Sequence, residues 1–216
     1  ILSRNSDRGR IEEKFDKFLY VISSKSYEDY YFNLISHWKE PHNIVVDSIE
    51  PSTIINFQET NFGLINDMLY YDSTFYLPDD LMVKVDRASM GVSLESRAPF
   101  LDHNLIEYSW KIPENMKVRS GKGKWILREI LYKYLPKELL DRPKMGFGIP
   151  IDLWLRDELR DWAEDLINEK RLIDEGFFYP KEIRLKWKEH LKGTRNWSHH
   201  LWDILMFQSW HKYWKS

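Results

Sequence analysis

Apolar positions recur at helical spacing along most of the chain. Ile11, Phe15, Phe18, Leu19 and Ile22 share one stripe, and Ser26 followed by Asp29 reads as a capping box opening a second helix that runs through Trp38 and ends at Pro41. From about His42 to Glu59 no period stands out, so this stretch is expected to be loop. A third helix is predicted from near Phe62 to Phe75, stopping before Pro78, and a fourth begins at Pro78, since proline suits a first turn. Leu81, Val85 and Ala88 of that helix are expected to face the core. A glycine- and lysine-rich turn, Ser120-Gly121-Lys122-Gly123-Lys124, leads into a helix ending at Pro136, with Leu127, Ile130, Leu131 and Tyr134 as its core stripe. Beyond Ile151 helices alternate with breaks at Glu175-Gly176 and Lys192-Gly193-Thr194. Trp197, Leu201, Ile204, Leu205, Gln208 and Trp210 have the spacing of a core helix that closes the domain; the same tryptophan-rich tail read as a partner-binding face would make the chain a helical interaction module. The fold expected from this pattern is mainly α, with no internal repeat.

Composition narrows the classes. A chain of 216 residues, 43% hydrophobic, can build a core as one domain, 1–216, or as a large part of one. Every apolar run is broken by charge within a few residues, which predicts a soluble, cytoplasmic protein without a membrane span. A formal net charge of −2 disfavours a general nucleic-acid surface. With no cysteine there is neither a disulfide nor a thiolate metal site. Aromatic content is high, 15% with 10 tryptophans, and predicts a helical core built from rings ahead of a stacking platform for bases. Among His199, His200 and His211 only His200 and His211 share a face, three helical turns apart, too far for joint zinc ligation.

The stretch from Leu94 to His103 carries the chemistry least explained by folding. In an extended segment Glu95, Arg97 and Pro99 point one way while Leu94, Ala98 and Phe100 point the other. Pro99 fixes its own φ and keeps Ala98 extended. Asp102 reads as an N-cap, and Leu101 with Ile106 has the spacing of a hydrophobic staple. A site carboxylate held by a guanidinium is one reading; an ion pair decorating a linker is the other. On the helix after Lys124 the face opposite the core stripe holds Trp125, Glu129 and Tyr132, a carboxylate between two rings. In a cleft, burial would raise the pKa of Glu129 and make it a proton acceptor or relay; without one it is a surface glutamate. Lys144 follows Pro143 in a short loop where Gly146 and Gly148 flank Phe147, either a place for a phosphate or a helix connector. Lys122 and Lys124 would draw in an anion or belong to a solvated turn.

Several of these motifs together resemble the synthetase domain of glutamine-dependent asparagine synthetases. The likeness runs through Ser36-His37-Trp38, Met68-Leu69-Tyr70-Tyr71-Asp72, the helix Tyr76 to Met90, the loop Leu94 to His103, Lys124-Trp125-Ile126-Leu127-Arg128-Glu129 and Arg142-Pro143-Lys144-Met145-Gly146-Phe147-Gly148-Ile149-Pro150, in that order. The family's Ser-Gly-Gly-x-Asp-Ser phosphate loop does not occur in the chain, and without cysteine there is no glutaminase nucleophile. The resemblance therefore implies the helical C-terminal portion of an adenine-nucleotide alpha-hydrolase-like (PP-loop ATP pyrophosphatase) synthetase domain, with the nucleotide-binding strands and the N-terminal glutaminase domain outside it. A start at Ile1 fits such a fragment, expected to be inactive alone.

By the resemblance, the parent enzyme is a carbon–nitrogen ligase for amino-acid biosynthesis that uses ATP, aspartate and ammonia from glutamine to give asparagine, AMP and pyrophosphate. It implies Glu95 as proton acceptor, Glu129 as its partner and Lys144 as the cation that steadies the acyl-adenylate. Arg97, Lys124 and Arg128 are implied to bind or orient substrate and nucleotide. Mg2+ would accompany ATP, with its ligands outside this chain. A homodimer fits the family. Relatives that close β-lactam rings carry tyrosine where Glu95 stands, so the glutamate points to the amide-forming branch, with free aspartate or another carboxylate of surface-polysaccharide or peptide synthesis as acceptor.

Overall fold

A computed structural model describes residues 15, 18–49, 62–141 and 148–215. The fold is mainly helical, as the apolar spacing predicts, and its only sheet among these residues is a pair of two-residue strands. Two compact units divide the chain: Ile1–Ile54 with Phe147–Ser216, and Ile55–Gly146.

In the first unit the Ser26 cap forms as expected, and the return bond of the box falls one residue earlier, on the Lys25 N–H. The Ser26 hydroxyl accepts the Asp29 N–H at 3.1 Å, the Asp29 carboxylate accepts the Lys25 N–H at 3.3 Å, and helix α1 follows over Tyr27–Ile35. It stops three residues before the expected end at Trp38. Lys39 gives the reason, because its ammonium donates to the carbonyls of Asn33 and Ser36 at 2.6 and 2.9 Å and closes the last turn. The stripe expected ahead of it is exposed at Phe15, Phe18, Leu19 and Ile22, and Ile11 lies outside the described residues.

The second unit opens with α2, Leu64–Tyr71, which continues without a break through a π-helical stretch, Asp72–Met82, into α3, Val83–Met90. The expected stop before Pro78 is therefore replaced by a widened helix with Pro78 inside it. A proline ring clashes with the carbonyl four residues back in an α-helix, and the wider π turn relieves that contact. Helix α4, His103–Lys111, is capped by Asp102. A short α5, Glu114–Lys117, then leads to β1, Val118–Arg119, and β2, Lys122–Gly123, joined by Ser120 and Gly121 at φ 51° and 73°. Two central residues of positive φ match the right-handed twist of a hairpin. Helices α6, Trp125–Leu131, and α7, Lys137–Leu140, complete the unit. Only Asp67 and Tyr71 are buried among its described residues. The expected core stripes are uncovered: Val85 and Ala88 are exposed, as are Leu127, Ile130, Leu131 and Tyr134. Periodicity marks an apolar face but not what covers it.

The rest of the first unit carries a dense core. Helices α8 (Ile151–Trp154), α9 (Arg160–Leu166), α10 (Glu169–Glu175), α11 (Pro180–Leu191) and α12 (Ser198–Lys215) bury Leu155, Leu166, Ile167, Leu172, Ile183, Trp187, Leu201 and Leu205 almost completely. The predicted breaks fall where expected, with Gly176 as the left-handed cap of α10. Residues 44–46 pair with 177–179 through Val46 N–H to Phe177 O and Tyr179 N–H to Ile44 O, at 2.9 and 2.8 Å. Phe178, Phe207, Trp162 and Trp202 pack against the aliphatic centre, in line with the aromatic content. No helix of the described residues is long and apolar enough to cross a membrane.

Candidate functional site

The loop carrying Glu95 is tied at both ends. At its start the Leu94 N–H donates to the Ser89 carbonyl at 2.9 Å, just after Ser93 takes a φ of 60°. At its far end the Asp102 carboxylate accepts the N–H groups of Asn104 and Leu105 at 3.0 and 3.3 Å, the N-cap expected from sequence. Between these ties Ala98 is extended (φ −90°, ψ 113°), held so by Pro99, which opens a 3-10 turn over Pro99–Leu101. Alternation along the segment puts Glu95 and Arg97 on one side, and the Arg97 guanidinium donates to the Glu95 carboxylate at 2.9 Å. Both side chains are well exposed, 69% for Glu95 and 84% for Arg97, so the pair adds little to stability.

The second group of residues gathers around Asp141. Its Oδ1 accepts from Arg128 Nη1 at 2.6 Å and from the Tyr132 hydroxyl at 2.7 Å, while Lys122 Nζ stands 4.0 Å from Oδ2. Arg128 also donates from Nε to the Gly123 carbonyl at 3.2 Å. The hairpin, α6 and the end of α7 are thereby joined through one carboxylate. The Tyr132 hydrogen bond, followed by the charges of Lys122 and Arg128, outweighs desolvation and holds Asp141 below the usual carboxylate range; Asp141 in turn pushes the Tyr132 hydroxyl up. Lys124 sits in the left-handed region, φ 57° and ψ 36°, as the residue that opens α6.

The aromatic face of α6 forms as the spacing predicts, but not as a burial site. Trp125 and Tyr132 are half-buried, and each ring meets a cation, Arg119 at 4.8 Å and Lys137 at 4.9 Å. Glu129 between them is exposed, so the burial its expected role relies on is absent among the described residues. Lys144, with the rest of 142–147, lies outside the described residues. No hydrogen bond or ion pair of the described residues joins Glu95 and Arg97 to the Asp141 cluster. Asp141 itself escapes sequence reasoning. Arg128 and Tyr132 share a helix face at i, i+4, yet their common acceptor lies 13 and 9 residues away beyond a second helix.

Among the described residues no group of three or more histidines or carboxylates is arranged to hold a metal ion. The exposed chemistry in this unit is a carboxylate able to take a proton, with guanidinium and ammonium groups able to meet oxyanions.

The family model for asparagine synthase matches residues 2–212. An asparagine synthetase (glutamine-hydrolysing) 1 of Bacillus subtilis is 30% identical over 154 residues, 71% of this chain and 24% of that protein. Asparagine synthetase 3 of the same organism is 42% identical over 89 residues, 41% of this chain and 14% of its own length. The mouse asparagine synthetase is 30% identical over 141 residues, 56% of this chain and 24% of its own. The chain thus spans about a quarter or less of the length of these relatives. No solved structure matches it.

Proposed function

The chain belongs to the asparagine synthase family, and on that footing we propose that it is the helical C-terminal part of a synthetase that forms an amide from aspartate, ATP and glutamine-derived ammonia. The observation that carries this reading is the family match, which takes in the Glu95 loop, α6 and the 142–147 stretch in one continuous span. The uncovered apolar faces of residues 62–141 suit packing against a nucleotide-binding half elsewhere in the protein, and glutamine hydrolysis, which the relatives' names state for them, would supply the ammonia.

In the first half-reaction the aspartate side-chain carboxylate attacks the α-phosphorus of ATP and releases pyrophosphate, leaving β-aspartyl-AMP. Ammonia then attacks the acyl carbon and AMP departs. The attacking nitrogen becomes cationic as it bonds, so a carboxylate must take its proton before the intermediate collapses. Glu95 fills that role, with Arg97 fixing its orientation and Glu129 as the second carboxylate in a relay. Lys144 offsets negative charge on the phosphate and the developing oxyanion, where fixed positive charge lowers a barrier most. Lys124 and the remaining Arg128 nitrogen suit oxyanion binding. The described residues present no cluster of three or more His, Asp or Glu side chains for Mg2+.

Glu95→Gln in the full-length protein separates the halves. Amide formation is expected to fall on the order of 10²-fold, the usual worth of a positioned proton acceptor, with pyrophosphate release much less affected. Equal loss of both would assign Glu95 to substrate binding.

A further inference from the structure

A cavity of about 470 Å³ lies within the first unit, between the 33–44 stretch on one side and α11 with the Arg195 to His200 turn on the other, away from the residues assigned to the amide-forming step. That volume falls in the range of small-molecule sites. Two indoles wall it. Trp197 is fixed twice: its indole N–H donates to the Glu189 carboxylate at 2.6 Å, and its backbone N–H donates to His190 Nδ1 at 3.2 Å. Trp38 stands opposite, and His200 meets both tryptophans edge-on at 4.8 and 4.9 Å. The His200 imidazole is held neutral at pH 7, its pKa lowered to about 4 by burial first and by His37 and Lys186 next.

Charges of both signs line this cavity, and most are already engaged. Lys39 donates to the carbonyls of Asn33 and Ser36, Glu40 accepts from the Asn43 amide at 2.6 Å, His37 pairs with Asp203 at 3.1 Å, and Arg195 lies over the Trp197 ring at 4.3 Å and has a further partner. Two groups remain. Glu182 and Lys186 stand one turn apart on α11, both half-buried and both lining the cavity. Glutamate four residues ahead of lysine is the spacing that ordinarily closes a helical ion pair. Here the pair stays open: among the described residues neither side chain has a hydrogen bond or an ion pair, and Glu182 acts on Lys186 only at a distance. The Lys186 ammonium turns instead to the rings, 4.1 Å from the centre of Trp197 and 5.8 Å from that of Trp38. Burial first, and Arg195 after it, push the amine below its usual range against the pull of Glu182 and Glu189. A carboxylate and an ammonium are thus presented side by side, each lacking an oppositely charged partner in contact.

We infer that this cavity binds a free α-amino acid with an apolar side chain, its ammonium on Glu182, its carboxylate on Lys186 and its side chain against the Trp38 and Trp197 rings. A ligand carrying one charge would meet one of the two groups and leave the other bare, whereas a zwitterion meets both with charge-assisted hydrogen bonds. The α-ammonium and α-carboxylate share one carbon, which suits partners whose Cβ atoms lie about 5–6 Å apart on one helix face. Neutral His200 adds no third charge between the indoles, so the space beside the head group is fit for an aliphatic body. This inference stands apart from the amide-forming reading and from Glu95.

The test is isothermal titration of the full-length protein with L-leucine, with 4-methylpentanoate, which lacks the ammonium, and 3-methylbutylamine, which lacks the carboxylate, as separate arms. Leucine is expected to bind at one site with a Kd below about 1 mM, and each analogue at least about tenfold more weakly. Glu182→Gln and Lys186→Met, which keep the shape of the side chain, should each weaken leucine at least about tenfold; Glu182→Gln should also erase its advantage over 4-methylpentanoate, and Lys186→Met its advantage over the amine. Thermal unfolding shows whether each variant is folded, and the two analogue arms need no variant. Absence of saturable leucine binding, either analogue binding as tightly as leucine, or leucine binding unchanged in either folded variant overturns the inference.

Discussion

Gln208 holds three helices together from the middle of α12, and replacing it gives a measurable stability change whose size follows from its contacts. Its amide is fully buried and donates from Nε2 to the Leu166 carbonyl at 3.1 Å, at the end of α9, and to the Glu175 carboxylate at 2.6 Å, at the end of α10. Oε1 has no partner among the described residues. In Gln208→Leu the neutral bond is lost, worth about 1 kcal/mol, and the charged one, worth about 1.5–3 kcal/mol. Against this stand the removal of one orphaned oxygen and the burial of a more apolar side chain, together about 1–2 kcal/mol. Glu175 keeps Arg171 as a partner at 2.9 Å, so its charge is not left bare. The balance is a loss of about 2 kcal/mol, or a fall in Tm of about 4–8 °C for a chain of this size. Gln208→Glu should do worse at neutral pH, since two carboxylates within hydrogen-bond distance repel by roughly 4 kcal/mol or more, and should recover in acid as one takes a proton and donates to the other. Denaturant unfolding of both variants between pH 7 and 4 measures each effect. A Gln208→Leu protein as stable as the parent would refute the reasoning, because it would mean the two hydrogen bonds contribute nothing beyond what leucine packing restores.

Two further outcomes follow from the titratable groups. Asp141→Asn removes the charge that gathers Arg128, Tyr132 and Lys122 at the edge of the 142–147 stretch; kcat for amide formation in the full-length protein is expected to fall by 10- to 100-fold, about what a displacement near 1 Å costs, while thermal stability changes little because the group is exposed, and unchanged kcat would separate this cluster from the reaction. His190 is fully buried and held neutral, its pKa lowered to about 4 by burial first and Arg156 next, so the unfolded chain binds a proton that the folded one refuses; stability should be complete above about pH 6.5 and decline by up to about 3 kcal/mol as pH falls toward 4, and a flat unfolding free energy between pH 7 and 4.5 would show that this imidazole is not buried neutral.

Local chemistry was legible in the sequence where it is closed within a few residues. Ser26 with Asp29, Asp102 ahead of α4, the Gly176 break and the Leu201–Gln208 stripe of α12 all form as the spacing predicts, because cap, turn and periodic burial depend on neighbours three or four positions apart. Trp210 departs from that stripe and is exposed. Pro78 misleads because the rule that proline ends a helix assumes an α turn, and a π turn accommodates it. The stripes at Leu81 to Ala88 and Leu127 to Tyr134 show a face without showing its cover. The Glu95–Arg97 pair was legible because both residues lie on one extended segment. Asp141 was not, since its partners lie across a turn and a helix. Nor was the meeting of Trp38 with Lys186 and Trp197, which needs residues about 150 positions apart to pack.

These differences in burial have a consequence for how the candidate catalytic side chains are positioned. In the first unit helices are held by a core that buries more than a dozen apolar side chains, so a surface change there is absorbed. Residues 62–141 bury two side chains, Asp67 and Tyr71, and hold their loops instead by discrete ties: the Asp102 cap, the Leu94 to Ser89 bond, the hairpin turn and the Asp141 cluster. A tie made of one or two hydrogen bonds contributes about as much as thermal energy can break several times over in a folded lifetime, and it restrains direction more than it adds stability. The orientation of Glu95, and of the residues that follow Asp141, therefore depends on what packs against the apolar faces of this unit in the whole protein. That makes coupling between domain contact and chemistry the expected behaviour: changes on the uncovered faces of α3 and α6 should alter the amide-forming step without touching a reacting group.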